Sequence, residues 1–342
     1  MMTVNSDQFE STLMFKEINE EPGTILNTYK NVKDSIKEAT QILKTSKMVF
    51  IVGSGTSYHA GIVLQIGLLR RGIPAVAVRA PEFSHYMSED PDGICAVLIS
   101  QSGESREVLQ SLELCIMKRI NTIAVTNNGE SPLAKKSTYS LITDAGKEES
   151  LAATKSHVAQ LVVNYMLINN LSTNKNESSK IDNIQILAKM VEEILGQKEL
   201  FKQISTNLMG RLVFLGNGLL HATAMEGALK FEETANLVTE AFPMGEYFHG
   251  PIQVLKYNDS VIILKGDEKF EFERIRSRVK EYTKNILVIG SDENCDIIIP
   301  KSVTDMFYPI LYVIPLQMLA NFKTILTGLS PDKPTRLNKI VR

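Results

Sequence analysis

The sequence has almost no net charge with which to recruit a polyanion. Its 342 residues carry 37 Lys and Arg against 39 Asp and Glu, which gives a formal net charge of -2. Without a basic excess, no long-range electrostatic attraction favours nucleic acid or an anionic membrane. Any anion that this protein binds must therefore be held by local groups.

Cysteine is scarce as well. Cys95, Cys115 and Cys295 are odd in number, widely spaced and set in apolar surroundings. Such spacing suggests neither a disulfide framework nor a pair of metal ligands. This cysteine usage fits a reducing cytoplasm.

The sequence also lacks the signals of secretion and of membrane insertion. The N-terminus is polar and acidic through Glu20, with no basic region followed by an apolar stretch. No apolar run is expected to approach the roughly 20 residues that span a bilayer. We therefore expect a cytoplasmic protein.

What the sequence does contain is a series of short Val- and Ile-rich runs that alternate with segments of helical period. With 342 residues, 44% of them hydrophobic, the chain exceeds the size at which one core usually suffices, so two domains are expected. Strands are predicted at Met48–Val52, Pro74–Val78, Ile94–Ile99, Thr122–Val125 and Tyr139–Ile142. Five buried strands alternating with helices predict an α/β fold with a flavodoxin-like, doubly wound parallel sheet.

The second half of the chain repeats this pattern at a nearly constant offset. The matched runs end at Gly55 and Gly218 (offset 163), begin at Asn121 and Asn285 (offset 164), and occupy 96–99 and 261–264 (offset 165). Three matches in order favour a duplicated domain over chance. The sequence therefore predicts two tandem flavodoxin-like domains.

Composition also suggests where the segments begin and end. We predict an N-terminal helical segment at 1–30, a first domain at 31–175, a second domain at 181–327, and a tail at 328–342 that closes the active site. The first segment is expected to hold one amphipathic helix at Met14–Lys30, and the polar stretch Ser172–Lys180 to join the domains. A helix at Pro315–Leu326 should precede the tail, whose prolines and glycine exclude a continuous helix.

A serine-rich turn follows the third predicted strand. Ser100-Gln-Ser-Gly-Glu-Ser105 comes directly after Ile94–Ile99 and precedes a helical run. Hydroxyl groups, free N–H groups and a positive helix end together hold phosphate. Helix capping alone would explain one serine, but three serines with a glutamine and a glycine favour phosphate binding.

A similar turn, Gly53-Ser-Gly-Thr-Ser57, follows the first predicted strand. It is weaker evidence for binding, because many α/β folds need such glycines only for packing.

One helical segment of the second half carries three charged residues on a single face. Glu226, Lys230 and Glu233 are spaced i, i+4 and i+7, which places them together on a helix. A solvated Glu/Lys face would show the same spacing. The rest of this helix is apolar or small, however, and it follows the second glycine turn, where α/β ligand sites form.

A loop dense in glycine and proline, Glu240–Pro251, carries His249 between an aromatic residue and a glycine. A loop histidine titrates near neutrality and suits proton transfer to a sugar ring oxygen. A surface or core-edge histidine is the alternative. The remaining histidines, which have no comparable context, are His59, His85, His157 and His221.

With these residues in view, the chain resembles the isomerase half of glucosamine-6-phosphate synthase and its stand-alone relatives, a family with two sugar isomerase (SIS) domains. The motifs that carry the resemblance are Phe15–Pro22, Gly53–Tyr58, Ser100–Ser105, Ala152–Lys155, Glu226–Lys230, Gly245–Pro251 and Pro331–Lys339. They cover nearly the whole chain in order. The resemblance implies aldose–ketose proton chemistry on a hexose 6-phosphate, without a metal or redox cofactor.

The resemblance also implies which residues hold the substrate. The phosphate would be surrounded by Ser100, Gln101, Ser102 and Ser105, and the sugar hydroxyls would lie near Thr56 and Ser57. Glu226 is counted with these substrate-binding residues. Ala153 replaces a serine that the family often has, so one hydroxyl contact to the sugar is expected to be missing or replaced.

Four further residues are implied to be catalytic. Glu233 matches the base that moves a proton between C1 and C2, and Lys230 lies beside it one turn earlier. His249 matches the histidine that opens the sugar ring from a neighbouring subunit, which implies a homodimer. Lys339 matches a C-terminal lysine that contacts the open-chain sugar and forms an imine with a keto form.

The start of the sequence shapes the expected reaction. The chain begins Met1-Met-Thr3, with no cysteine at the second position, so we expect no glutaminase domain. The site is then expected to run as a glucosamine-6-phosphate deaminase, converting glucosamine 6-phosphate and water to fructose 6-phosphate and ammonia. Three alternatives stay open: a plain phosphosugar isomerase, a fructosamine-6-phosphate deglycase, and a sugar-phosphate sensor without turnover.

Overall fold

The Val- and Ile-rich runs of the first half form a five-stranded sheet in the computed structural model of the protein. The strands are β1 (Met48–Gly53), β2 (Ala75–Arg79), β3 (Ile94–Ile99), β4 (Asn121–Thr126) and β5 (Tyr139–Ile142). Their order is β2-β1-β3-β4-β5, and each neighbouring pair is parallel. This is the predicted flavodoxin-like order.

A second five-stranded parallel sheet follows in the second half. Its strands are β6 (Leu212–Leu215), β7 (Thr239–Phe242), β8 (Ser260–Leu264), β9 (Ile286–Gly290) and β10 (Ile297–Ile298). The order β10-β9-β8-β6-β7, followed from the other edge, repeats that of the first sheet strand for strand. The matched runs of the sequence therefore occupy corresponding strands, and the predicted fold class is confirmed.

The structure describes residues 9–171, 180–267, 269–302, 304–334, 336–337 and 339. Contacts divide these residues into two compact units. The first-sheet unit comprises the described residues within Glu20–Glu148, Ala153–Ala188 and Asn338–Arg342, and the second-sheet unit those within Met1–Asn19, Glu149–Ala152 and Lys189–Leu337. The N-terminal helix thus belongs with the second sheet and Lys339 with the first. Most of the predicted joint at 172–180 lies outside the described residues.

Helices connect the strands as the alternating pattern requires. In chain order they are α1 (Leu13–Asn19), α2 (Glu21–Val32), α3 (Ile36–Thr45), α4 (Thr56–Arg70), α5 (Arg106–Met117), α6 (Pro132–Lys136), α7 (Lys155–Asn170), α8 (Lys180–Leu195), α9 (Lys198–Asn207), α10 (Leu219–Ala235), α11 (Lys269–Val279) and α12 (Tyr308–Leu326).

Two predicted helices differ from those observed. The single helix expected at Met14–Lys30 is two helices, α1 and α2, which are interrupted at Glu20 just before Pro22. A proline is favoured in the first turn of a helix, so it starts α2 rather than continuing α1. The C-terminal helix begins at Tyr308, not at Pro315, which lies inside α12.

The expectation that no apolar run reaches the length of a membrane span was wrong. Asp305–Leu326 is long and apolar enough to cross a membrane by length and composition. Within its most apolar window, 89% of the residues are buried inside the protein. An apolar helix covered on all sides by protein is the pattern of a core helix.

A second buried helix, α7, carries polar side chains into the first-sheet unit. Gln160 Nε2 donates to Ser57 Oγ at 3.1 Å, and Asn164 Nδ2 donates to the Ala60 carbonyl at 2.8 Å. The amide nitrogens of both side chains are thus hydrogen-bonded. These two bonds attach α7 to the first turns of α4 and fix the glycine turn that follows β1.

Candidate functional site

The serine-rich turn lies at the switch point of the first sheet. β1 and β3 are neighbours, yet the next strands, β2 and β4, lie on opposite sides of this pair. The turns after β1 and β3 therefore diverge and leave a crevice at the carboxyl edge of the sheet, where α/β ligand sites form. Ser100–Ser105 and the Thr56–Ser57 turn stand on the two sides of this crevice.

The hydroxyl groups of the turn bond to the turn itself. Ser100 Oγ lies 3.0 Å from Ser105 Oγ and accepts from the Gly103 N–H at 3.2 Å, while Ser102 Oγ accepts from the Glu104 N–H at 3.1 Å. Ser105 is the N-cap residue of α5, but its side chain makes no capping bond. Capping therefore does not account for the serine at this position.

Gly103 is required by the shape of the turn. Its φ of 66° lies in the left-handed region, and a Cβ there would lie 2.1 Å from Ser131 Oγ. Any larger residue would have to strain its backbone and displace the loop before α6. The glycine thus lets the turn close tightly above β3.

The second turn places its two hydroxyl residues differently. Thr56, the first residue of α4, is half-buried, whereas Ser57 is buried and its hydroxyl accepts the bond from Gln160. Ser57 therefore lies against α7 rather than in open solvent. No local pattern indicates this partner, because Gln160 is 103 residues away.

Helix α10 brings three of the predicted residues of the second half together. Lys230 Nζ lies 3.1 Å from Glu226 Oε1 and 2.7 Å from Glu233 Oε2. The side chains of Glu226 and Lys230 are fully buried, and that of Glu233 is 20% exposed. The solvated-face alternative is therefore wrong, and of the two carboxylates Glu233 is the one that water or a small molecule reaches.

The charge of Lys230 is stabilised by its two partners. Burial alone would lower the pKa of this lysine, but the carboxylates of Glu226 and Glu233 outweigh burial and raise its pKa above the usual value. Lys230 is therefore cationic at any physiological pH. The ammonium thus lies between two carboxylates in a site that is almost entirely buried.

His249 lies at the end of a short 3-10 helix, Glu246–Phe248, and is exposed. The preceding loop is held by Asn217, which sequence reasoning missed. Asn217 Oδ1 accepts from the Met244 N–H at 2.9 Å, and its Nδ2 donates to Glu271 Oε2 at 3.0 Å. Asn217 follows β6 in the second glycine turn, so this turn orients the histidine loop within the second-sheet unit.

Lys339 has an acidic neighbour that sequence reasoning also missed. Its Nζ lies 3.5 Å from Glu148 Oε2, and both residues belong to the first-sheet unit. The predicted residues thus form two groups. The first-sheet unit holds the two hydroxyl turns and Lys339, and the second-sheet unit holds the Glu226–Lys230–Glu233 triad and His249.

Within the described part of the chain, no group of three or more His, Cys, Asp or Glu residues is arranged so that it could hold a metal ion.

Replacing Lys230, the cation of the triad, should destabilise the folded protein. We expect Lys230→Met to lower the free energy of unfolding by about 3–5 kcal/mol near neutral pH, because two carboxylates then share one poorly solvated site. Such carboxylates take up protons more readily in the folded state than in the unfolded state, so the loss should shrink as the pH falls from about 8 to about 5.

Urea unfolding of Lys230→Met at several pH values measures this effect, with exposed Lys280→Met as the matched control. A loss that is the same at every pH would contradict the assignment of the buried charges.

Comparison with known proteins places these features in a family. The SIS domain model matches residues 42–170 and 209–321. A glutamine–fructose-6-phosphate aminotransferase (isomerizing) from Pyrobaculum aerophilum is 34% identical over 346 residues, which cover 96% of this chain and 57% of that protein. The chain thus spans little more than half the length of this curated relative.

Solved structures show the same architecture. The C-terminal domain of glucosamine-fructose-6-phosphate aminotransferase from Francisella tularensis superposes with a TM-score of 0.85 at 25% identity, covering 97% of this chain and 100% of that chain. A glucosamine-6-phosphate deaminase from Thermotoga maritima shares the fold, with a TM-score of 0.80 at 24% identity and coverage of 96% and 99%. The chain described here therefore belongs to the SIS domain family.

Proposed function

We propose that this protein binds a hexose 6-phosphate and moves a proton between its C1 and C2 atoms. The observation that carries the proposal is the triad of α10, in which Glu233 is the accessible carboxylate and contacts the buried Lys230 at 2.7 Å. A carboxylate in a mostly dry site suits abstraction of a C–H proton next to a carbonyl or imine. The ammonium of Lys230 is suited to stabilise the negative oxygen that develops in an enediolate.

The first-sheet unit would supply the phosphate site. Ser100, Gln101, Ser102 and Ser105 lie in the turn after β3, at the switch point where such folds bind ligands. The N-terminus of α5 adds a positive helix end and free N–H groups. Thr56 is the candidate contact to the sugar hydroxyls, and Ser57 would act from its position against Gln160.

His249 and Lys339 complete the proposed chemistry. The histidine would open the sugar ring by proton transfer at the ring oxygen. Its exposed position suits delivery to the site of a second copy, so the proposal includes a homodimer. Lys339 would contact the open-chain sugar, and its amine would condense with the carbonyl of the keto form to an imine with release of water. The three buried thiols suit a reducing cytoplasm.

The specific reaction that we propose is the deamination of glucosamine 6-phosphate. After ring opening, Glu233 would take the C2 proton and return a proton to C1, which converts the amino aldose to a fructose imine. Water then adds to the imine carbon, and ammonia leaves with formation of fructose 6-phosphate. The names of the relatives support an amino sugar phosphate, since one is an aminotransferase of fructose 6-phosphate and another a glucosamine-6-phosphate deaminase.

Replacing a serine of the Ser100–Ser105 turn should weaken the binding of an anion. Ser102→Ala should raise the dissociation constant for inorganic phosphate about tenfold, because a hydrogen bond to a charged partner is removed. Isothermal titration calorimetry measures this constant, with exposed Ser88→Ala as the matched control. Equal affinities of both variants and the unmodified protein would place the phosphate elsewhere.

The reaction itself is tested by incubating the protein with glucosamine 6-phosphate and measuring ammonia and fructose 6-phosphate. We expect both products in equal amounts. Ammonia-free conversion of a phosphosugar would indicate a plain isomerase, and turnover of a fructosamine 6-phosphate adduct would indicate a deglycase. Binding without any turnover would indicate a sensor.

Glu233→Gln should lower kcat about a hundredfold or more while substrate still binds, because general base catalysis is removed. The neighbouring Glu232→Gln is the matched control, since Glu232 is exposed and bonds Thr239 instead. A near-normal rate for Glu233→Gln would show that another group is the base.

A further inference from the structure

Glu148 is a buried carboxylate to which the proposed chemistry assigns no task. It lies just before α7, and its side chain is only 1% exposed. Oε1 accepts from the Thr154 N–H at 2.9 Å and from the Ser156 N–H at 3.1 Å, and Oε2 accepts from Ser156 Oγ at 2.7 Å. Three donors at the start of one helix therefore fix both oxygens of this group in place.

These donors lie at the N-terminal end of a helix. Thr154 is the N-cap residue of α7, a helix of 16 residues with a full positive end. Hydrogen bonds from helix N–H groups and a hydroxyl hold a carboxylate in a fixed orientation. The Glu148 carboxylate is thus stationary within the first-sheet unit.

The second oxygen of this anion faces the tail of the chain. Lys339 Nζ lies 3.5 Å from Glu148 Oε2, although 191 residues separate the two in sequence. The lysine side chain is 29% exposed, so it reaches inward from the surface to a buried charge. A capping role needs only the bonds to Thr154 and Ser156, and it does not explain why a cation is drawn to Oε2.

We propose that Glu148 is a positioning residue that holds the amine of Lys339 in the first-sheet unit, ready for the substrate. The catalytic meaning of this contact rests on the proposed function, in which Lys339 acts on the open-chain sugar. The carboxylate fixes the place of the amine while the phosphate is held by the turn after β3. When the sugar binds, the amine of Lys339 leaves Glu148 and contacts the sugar instead.

The reactivity of Lys339 tests the proposal without any substrate. The full-length protein is treated with acetic acid N-hydroxysuccinimide ester at neutral pH, and the rate of acetylation at each lysine is followed by mass spectrometry. Glu148→Gln should raise the rate at Lys339 about threefold or more, because the amine loses the carboxylate that it contacts and becomes more accessible to the reagent.

Two variants separate positioning from structural support. Glu20→Gln is the matched control, because Glu20 bonds the buried Lys155 at 2.5 Å and not Lys339; it should leave acetylation of Lys339 unchanged. Glu148→Asp keeps the charge but withdraws it by one methylene, so it should give an intermediate rate and serves if Glu148→Gln does not fold. Equal rates at Lys339 in the unmodified protein and in every folded Glu148 variant would overturn the proposal.

Kinetics with glucosamine 6-phosphate give the second measurement. Glu148→Gln should lower kcat about tenfold and leave KM within about twofold, because phosphate binding does not depend on Lys339. A rise of KM with unchanged kcat would contradict the positioning role. The acetylation rate of Lys339 could depend on Glu148 although neither the variants nor the unmodified protein turns over this substrate. In that case the contact stands and the proposed function fails.

Discussion

All strands of the first sheet end at the same edge, and the chain leaves this edge in opposite directions after β1 and after β3. This divergence is the constraint on which the proposed binding site depends. It opens a crevice without any special sequence, and the glycine of each turn lets the backbone bend sharply there. The side chains then need only be small and hydroxylic, as Ser100, Ser102 and Ser105 are, to line a site for an anion.

The second sheet has the same strand order, but the helix after its first strand carries buried charged residues. Its first connecting helix, α10, carries a buried cation between two carboxylates, an arrangement that costs solvation energy and adds little to stability on its own. Hydrophobic residues at these buried positions would pack without this solvation cost, yet the positions are polar. Such a cost is typical of functional sites, where strain or burial of charge is retained for chemistry.

Local sequence determined much of this structure. The bounds of Ile94–Ile99 and Tyr139–Ile142 were predicted as observed, because buried parallel strands are continuous apolar runs with clear stops. The spacing of Glu226, Lys230 and Glu233 likewise placed three side chains on one face. The interior position of Pro315 could not be predicted, because burial of α12 on all sides outweighs the local cost of a proline.

The missed residues share a different cause. Asn217 bonds Met244, 27 residues later, and Glu148 contacts a lysine 191 residues later in the chain. Neither carries a local pattern, since an asparagine in a glycine turn and a glutamate before a helix are common for capping and turn formation alone. Only the tertiary fold reveals that these two residues hold the parts of the sequence that carry His249 and Lys339.

Proton transfer between neighbouring carbons of the sugar is the central step of the proposed function. Its most direct measurement is the reaction of glucosamine 6-phosphate in heavy water, followed by NMR of the fructose 6-phosphate formed. Because Glu233 is partly exposed, the proton that it takes up should exchange with solvent, and we expect deuterium at C1 of the product. A product that forms at a normal rate with only hydrogen at C1 would contradict this expectation, because the hydrogen would then have moved without passing through an exchangeable base.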